Sequence, residues 1–156
     1  MSAVPGAVEK ASCSARLPFR VMPYEVDFTG FVSNTVAATW LERLRLQLMA
    51  EQFADVDLCA PQNLSVIART TVEYVKPVRF TDRLEGQARV ASFMNTSWTI
   101  EFSFRHATTR DEHLRAEQVG VFLDPVSLVP TRMPPQIRRR LAAMQDTRST
   151  TEGSIP

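Results

Sequence analysis

The sequence predicts an α+β fold in which one antiparallel sheet wraps around a single long helix. The first observation behind this prediction is a stretch with a broad apolar face at helical spacing, residues 36–53. The second is a series of four strand-like segments after it, one of which alternates strictly between apolar and polar side chains. An apolar helix face and a single apolar sheet face must both be covered, so the economical arrangement packs one against the other.

The segment that precedes the helix is typical of an edge or irregular strand followed by a turn. Residues 17–26 are extended in character but contain Pro18 and Pro23, which a central strand does not tolerate. The next four residues, 27–30, combine Asp, Thr and Gly in a turn pattern.

The long helix has a clear apolar stripe and a candidate start. The apolar residues that recur every four positions are Val36, Trp40, Leu44 and Leu48. Ser33 and Asn34 are good N-cap residue types just ahead of the stripe. We therefore expect the helix to begin here and, apart from its first turn, to serve mainly as core.

Four strands and a terminal helix complete the predicted fold. The predicted strands are residues 64–78, 83–93, 97–106 and 113–124. In the third strand the apolar set Trp98, Ile100, Phe102 and Phe104 faces one way and polar residues face the other. Short connections between the strands indicate hairpins. Residues 134–145 begin with two prolines and are typical of a helix.

The length of 156 residues fits a single domain with flexible ends. Residues 1–15 and 146–156 are small and polar, so we expect both to be flexible tails around a domain of residues 16–145. An open antiparallel sheet has edge strands that invite pairing, so we expect a homodimer or homotetramer.

The composition argues against several functional classes. With a net charge of +1, nothing points to a nucleic-acid or membrane-surface partner. Arg138–Arg140 is the one basic cluster and indicates either a solvated helix face or a phosphate contact. Two cysteines and two histidines form no metal-site or disulfide pattern, so no metal is expected. No secretory signal or membrane-length apolar run is found, so we expect a cytoplasmic protein.

The amino end of the long helix is the first candidate for a reactive site. Unpaired N–H groups and the helix dipole place partial positive charge there, which suits a carbonyl oxygen that becomes negative during attack. Asp27 precedes Asn34 by seven residues, across a glycine turn that can fold its carboxylate back over this end. A plain turn residue that bonds its own backbone is the other interpretation of Asp27, and the residues alone favour it.

The segment VDFTGFVSNTVAATWLE resembles the characteristic segment of hotdog-fold acyl-CoA thioesterases of the 4-hydroxybenzoyl-CoA thioesterase type. The matching positions are Asp27, Gly30, Asn34, Trp40 and Glu42. The later segments EYVKPVRFTDRLEGQARV, GVFLD and MPPQIRRRL also resemble the family, and the resemblance runs from about residue 18 to residue 141.

The resemblance implies a hotdog fold and hydrolysis of an acyl thioester without metal or redox cofactor. It implies that Asp27 is the catalytic carboxylate, as nucleophile or as general base for water. It also implies that the backbone N–H of Asn34 binds the oxyanion. Gly30 is expected to let the chain approach the substrate closely, and Phe31 and Ser33 are expected to contact it.

The departures from the family pattern concern the substrate. Phe31 and Ser33 replace a His and an Asn of many relatives, and Phe31 either lines the mouth of the acyl pocket or packs. Some relatives carry Arg or Lys just before the third-strand serine, where this chain has Asn95 and Thr96. That leaves coenzyme A or an acyl-carrier protein as the thiol, with Arg132 as the candidate phosphate contact.

Several side chains and functions have weaker support. Ser97 either orients water or substrate or is a hydrogen-bonded strand serine, and Glu42 is expected in a surface ion pair. His106 and His113 are expected to be exposed. Dehydration of a 3-hydroxyacyl thioester needs a His beside the carboxylate, and neither His precedes the helix. A hotdog protein that binds an acyl ligand without turnover is the non-enzymatic alternative.

Overall fold

The computed structural model describes residues 13–149, with side chains described to residue 145. In chain order the strands and helices are β1 (Ser14–Arg20), α1 (Val36–Gln52), β2 (Ser65–Tyr74), β3 (Arg83–Phe93), β4 (Ser97–His106), β5 (Glu112–Phe122) and α2 (Pro135–Ser149). Single 3-10 turns occupy Pro23–Glu25 and Pro61–Asn63. The predicted order of one strand, one long helix, four strands and a final helix is confirmed.

The five strands form one antiparallel sheet in the order β1-β3-β4-β5-β2. The predicted alternation in β4 is confirmed, because Trp98, Ile100, Phe102 and Phe104 are all buried. Helix α1 packs its apolar stripe on the same face, mainly over β1 and β3. Among the described residues β1 and β2 are the two edges, and most of β2 is exposed.

The ends of some elements differ from the sequence-based boundaries. Strand β1 begins at Ser14 rather than at residue 17, and Cys13 and Ala15 are buried, so residues 13–15 belong to the fold rather than to a tail. Pro18 is tolerated because β1 is an edge strand. Helix α2 runs to Ser149, into the predicted C-terminal tail. The remaining tail residues, 1–12 and 150–156, lie outside the described residues.

Helix α1 begins at Val36, the first residue of the predicted stretch, but its N-cap differs from the prediction. Thr35, rather than Ser33 or Asn34, is the N-cap residue, and it makes no side-chain capping bond. Ser33 instead accepts the N–H of Val36 with its carbonyl, at 3.0 Å, so the chain already turns one residue earlier. None of the helices within residues 13–149 is long and apolar enough to cross a membrane.

Candidate active site

A tight turn holds Asp27 beside the start of α1. The N–H of Asp27 donates to the carbonyl of Phe31 at 3.0 Å, and the N–H of Gly30 donates to the carbonyl of Asp27 at 3.1 Å. Gly30 has φ +82°, a backbone conformation that favours glycine because it has no Cβ. The chain then returns against the segment after β2, where the N–H of Val32 donates to Val78 at 2.8 Å.

The carboxylate of Asp27 is exposed, and one of its two oxygens is hydrogen-bonded within its own turn. Its Oδ1 accepts the N–H of Thr29 at 2.8 Å and the hydroxyl of the same residue. These two bonds favour the charged form and hold the pKa of Asp27 below its ordinary value. The turn interpretation is therefore correct for Oδ1, whereas Oδ2 has no hydrogen-bond partner within residues 13–149. An ionised oxygen is left free for chemistry.

A second carboxylate, Glu25, fastens this turn to the helix. Glu25 is buried, and its Oε1 accepts the indole N–H of Trp40 at 2.9 Å. Its Oε2 accepts the N–H of Met22 at 2.9 Å, and its carbonyl accepts the N–H of Ser33 at 2.8 Å. Glu25 was not among the predicted site residues, although a buried Trp needs an acceptor for its N–H and thereby indicates a nearby polar group.

The first turn of α1 offers a free donor next to Asp27. The N–H of Asn34 makes no hydrogen bond to another described residue, whereas its carbonyl accepts the hydroxyl of Tyr74 at 3.0 Å. The adjacent N–H of Thr35 is occupied by the Ser33 hydroxyl at 3.3 Å. The backbone N–H of Asn34 therefore remains available at this helix end.

Asp27 and Asn34 line one pocket of about 390 Å³. Its walls come from the Asp27 turn, the first turns of α1, the end of β2 and the start of β5. The predicted residues Phe31 and Ser33 also line it. Gly30 does not, and a Cβ there would meet nothing within 4 Å; its positive φ accounts for its place in the turn.

One histidine lies in this pocket, contrary to expectation. His113 is buried, lines the pocket and contacts the carbonyl of Pro77 through Nδ1 at 3.1 Å. His106 is half-buried, and its Nδ1 accepts the N–H groups of Thr108 and Thr109 at 3.2 Å. The predicted exposure of both was wrong, because His113 packs against the carbonyl of Pro77 and His106 lies 3.8 Å from Asp82.

Ser97 and Arg132 lie at the other end of the sheet. Ser97 pairs with Val121, whereas the pocket contacts β5 at His113 and Leu114, seven positions away. Seven strand residues span about 23 Å, so Ser97 cannot touch the same substrate atoms as Asp27 of its own chain. Arg132 is exposed and neighbours Met133, whose N–H donates to the carbonyl of Asn95 at 2.8 Å.

Glu42 was predicted to form a surface ion pair. Glu42 is exposed and lies 3.9 Å from Arg45, which agrees with a weak surface ion pair. Within residues 13–149 no three His, Cys, Asp or Glu side chains are grouped so that they could hold a metal ion.

Comparison with known proteins identifies relatives over most of the chain. Residues 21–141 match the family model described as the thioesterase-like superfamily. The acyl-CoA thioester hydrolase YbgC of Escherichia coli O6:H1 is 31% identical over 124 residues, which cover 78% of this chain and 91% of the relative.

Solved structures share the fold at lower identity. A DHNA-CoA thioesterase from Staphylococcus aureus superposes with a TM-score of 0.75 at 15% identity, over 92% of this chain and 97% of that one. A 4-hydroxybenzoyl CoA thioesterase mutant complexed with 4-hydroxybenzoyl CoA gives a TM-score of 0.71 at 15% identity, over 83% and 99%. The predicted hotdog fold, a sheet around one central helix, is confirmed. With the family model matched from residue 21 to residue 141, the chain belongs to the thioesterase-like superfamily.

Proposed function

We propose that this protein hydrolyses acyl-CoA thioesters, with Asp27 as the reacting carboxylate and the N–H of Asn34 as the oxyanion donor. The observation that carries the proposal is the shared pocket, in which a free, ionised carboxylate oxygen lies beside a free N–H at a helix amino end. The activity of the E. coli relative, named acyl-CoA thioester hydrolase, supports the same reaction.

The chemistry follows from where charge develops. Oδ2 of Asp27 attacks the thioester carbonyl, or removes a proton from a water that attacks it. The carbonyl oxygen gains negative charge, which the Asn34 N–H and the helix dipole stabilise. The C–S bond breaks and the sulfur leaves as a thiolate, which takes a proton from solvent in the nucleophilic route or from the protonated Asp27 in the general-base route. In the nucleophilic route water then cleaves the acyl-aspartate anhydride, and in both routes the products are free acid and free thiol.

A complete site needs two chains in this proposal. Strand β2 is an edge strand, and its Tyr74 end lies at the Asp27 pocket. Its Ser65 end lies beside Phe122 of β5, and the indole N–H of Trp98 of β4 reaches across β5 to donate to the Ser65 hydroxyl at 2.8 Å. Antiparallel pairing of β2 with β2 of a second copy would bring the Tyr74 end of one chain beside the Ser65 end of the other. Ser97 then serves the partner's Asp27, in a homodimer or a homotetramer of such pairs.

Arginines near the β3–β4 turn favour coenzyme A as the thiol. Arg132 lies next to the residue that binds Asn95, and Arg138 donates to the carbonyl of Met94 at 3.3 Å. Both side chains are exposed. They occupy the region where some relatives have a basic residue ahead of the β4 serine, so nucleotide phosphates have cationic partners there. An acyl-carrier protein, whose arm carries no nucleotide, would gain less from them.

The direct test is release of free thiol from acyl-CoA and acyl-carrier-protein thioesters with matched acyl groups. We expect turnover of acyl-CoA, and a KM for acyl-CoA but not for acyl-carrier protein that rises in Arg132→Ala. Absence of turnover with every thioester would refute the hydrolase and leave the non-catalytic acyl-ligand protein. Preference for the carrier protein would refute the assignment of the thiol.

Dehydration of a 3-hydroxyacyl thioester is a second candidate because His113 lies in the Asp27 pocket. That reaction needs a base for the α-proton and an acid for the departing hydroxyl, which a carboxylate and a histidine can provide. Formation of an enoyl thioester from 3-hydroxybutyryl-CoA, lost in His113→Gln, would favour it. Release of thiol without enoyl product favours hydrolysis.

We further propose that the protein acts in the cytoplasm. Both cysteines, Cys13 and Cys59, are free, which is compatible with a reducing compartment. Fractionation of cells that express a tagged copy tests this location.

A further inference from the structure

We propose that a second pocket, beneath the C-terminal half of α1, binds the aliphatic chain of the acyl group. This inference rests on the proposed thioesterase function and adds the substrate class and the chain that supplies the pocket. The pocket has a volume of about 560 Å³ and lies between α1, the sheet, α2 and the α1–β2 connection.

The lining of this pocket is suited to hydrocarbon. Its floor includes Trp98, Ile100 and Phe122 of the sheet, and its walls include Met49 of α1 and Ile67 of β2. Ile100 and Phe122 are buried, so an apolar ligand would meet packed side chains rather than water. Binding of a hydrocarbon chain to such a surface removes methylene groups from water, and this makes the binding free energy more favourable.

The volume distinguishes an aliphatic chain from a single aromatic ring. An apolar cavity of about 150 Å³ is enough to hold benzene. The pocket beneath α1 is several times larger, at about 560 Å³, and is within the usual range for small-molecule sites. An acyl chain of medium length uses this space, whereas a benzoyl group leaves most of it empty.

A polar bridge separates this pocket from the Asp27 pocket of the same chain. Arg45 Nη1 donates to Gln118 Oε1 at 2.7 Å, and Gln118 Nε2 donates to the hydroxyl of Thr70 at 3.3 Å. Arg45 itself lines the apolar pocket, on the side towards Asp27, whereas Gln118 on β5 and Thr70 on β2 lie between the residues that line the two pockets. A hydrocarbon chain therefore does not pass from one pocket to the other within one protomer.

The β2 pairing proposed above offers the alternative route. Ser65 and Ile67 line the apolar pocket and lie at the end of β2 that would meet the partner's Asp27. The thioester would react at Asp27 of one chain while its acyl tail enters the apolar pocket of the other. The pocket then sets chain-length preference in trans.

Filling the pocket tests the acyl-chain assignment. In the wild-type enzyme, kcat/KM should rise by about fourfold for each methylene added between butyryl-CoA and decanoyl-CoA. Ile67→Trp should lower kcat/KM for decanoyl-CoA by more than tenfold and leave butyryl-CoA within about twofold. Val66→Trp is the matched control, because Val66 is the adjacent β2 residue and does not line the pocket. Equal losses for both substrates, with both variants folded by circular dichroism, would overturn the assignment.

A binding measurement separates this inference from the catalytic one. Decanoate should bind Asp27→Asn at least as tightly as wild type in calorimetry, because its carboxylate then no longer faces an ionised Asp27, and should not bind Ile67→Trp. It should also slow modification of the exposed thiol Cys59, which lines the pocket. Burial raises the pKa of Cys13 to about 12, so Cys59 is the thiol that reacts. Binding without thioester turnover would refute the hydrolase alone, whereas turnover without decanoate binding or Cys59 protection would refute the pocket alone.

Complementation between two variants tests whether the partner chain provides the acyl pocket. A mixed dimer of Asp27→Asn and Ile67→Trp chains, purified through two different tags, contains one site with an intact Asp27 and an open partner pocket. Because one of its two sites is intact, we expect it to hydrolyse decanoyl-CoA at about half the wild-type rate, well above either parent. If the mixed dimer is as inactive as its parents, the tail and the carboxylate belong to one chain and the trans arrangement is wrong.

Discussion

At the residue scale, the two carboxylate oxygens of Asp27 have different roles. Oδ1 of Asp27 is used by the turn, through the N–H and hydroxyl of Thr29, and Oδ2 is left for chemistry. The same bonds that fix the carboxylate also lower its pKa, so it stays ionised to lower pH than an ordinary aspartate. Positioning and ionisation therefore have a common cause in Thr29.

Removal of the Thr29 hydroxyl should move the pH dependence of the reaction. In Thr29→Val the pKa of Asp27 should rise towards its ordinary value, because the largest stabiliser of the charged form is lost. Since the ionised carboxylate is the active form, the acid limb of the kcat/KM profile should shift to higher pH. A limb that stays in place would mean that another group controls it.

At the residue scale, spacing in the sequence predicted which residues line the pocket. It did not predict burial, because burial depends on contacts between segments that are far apart in the chain. Asp27, Phe31, Ser33 and Asn34 do come together in one pocket. Burial of His113 was missed because its contact, the carbonyl of Pro77, is 36 residues away in the chain. No local sequence pattern indicates such a contact.

At the element scale, β3 and β4 were predicted to the residue and β1 was not. Strict alternation in β4 and the short turn after β3 define their ends from local sequence. Strand β1 begins among small residues, and its first pairs, Ser14 with Arg89 and Ala15 with Ala88, depend on a strand far along the chain. The helix starts at Val36 as predicted, but its N-cap is Thr35, because the N–H of Ser33 is bound to the carbonyl of Glu25 and Ser33 belongs to the preceding turn.

A glycine on β5 makes the sheet floor sensitive to a single methyl group. A Cβ at Gly120 would lie 2.0 Å from the buried indole of Trp98, whose N–H is bound to Ser65. Gly120→Ala should therefore lower the free energy of unfolding by about 1–3 kcal/mol or more, as overpacking does. Urea denaturation measures this, with Val121→Ala as the neighbour that points away from Trp98. Equal stability of Gly120→Ala and wild type would contradict the packing described here.

At the scale of the whole molecule, the arrangement of the predicted site residues argues for more than one chain. Asp27 and Ser97 lie at opposite ends of one sheet, so a single protomer does not unite them. Sequence alone could place these residues on their elements but could not show that separation, because it depends on strand order. In the proposed dimer, pairing of the open β2 edges would remove that separation.

The molecular mass in solution tests that arrangement. Light scattering coupled to size exclusion should give twice or four times the 17.6 kDa of one chain. The thioesterase activity should fall on dilution below the dissociation constant of the pair. A fully active monomer would contradict the shared site while leaving the chemistry of Asp27 intact.

The most direct test of the account is the rate of thiol release by Asp27→Asn beside Asp124→Asn. Asp124 is a matched control, because it also binds backbone N–H groups in a turn and its pKa is also lowered, yet it does not line the Asp27 pocket. We predict that Asp27→Asn lowers kcat by at least about 10²-fold, the low end for a positioned acid–base group, while Asp124→Asn stays near wild type. Equal rates for Asp27→Asn and wild type would show that Asp27 is only a turn residue.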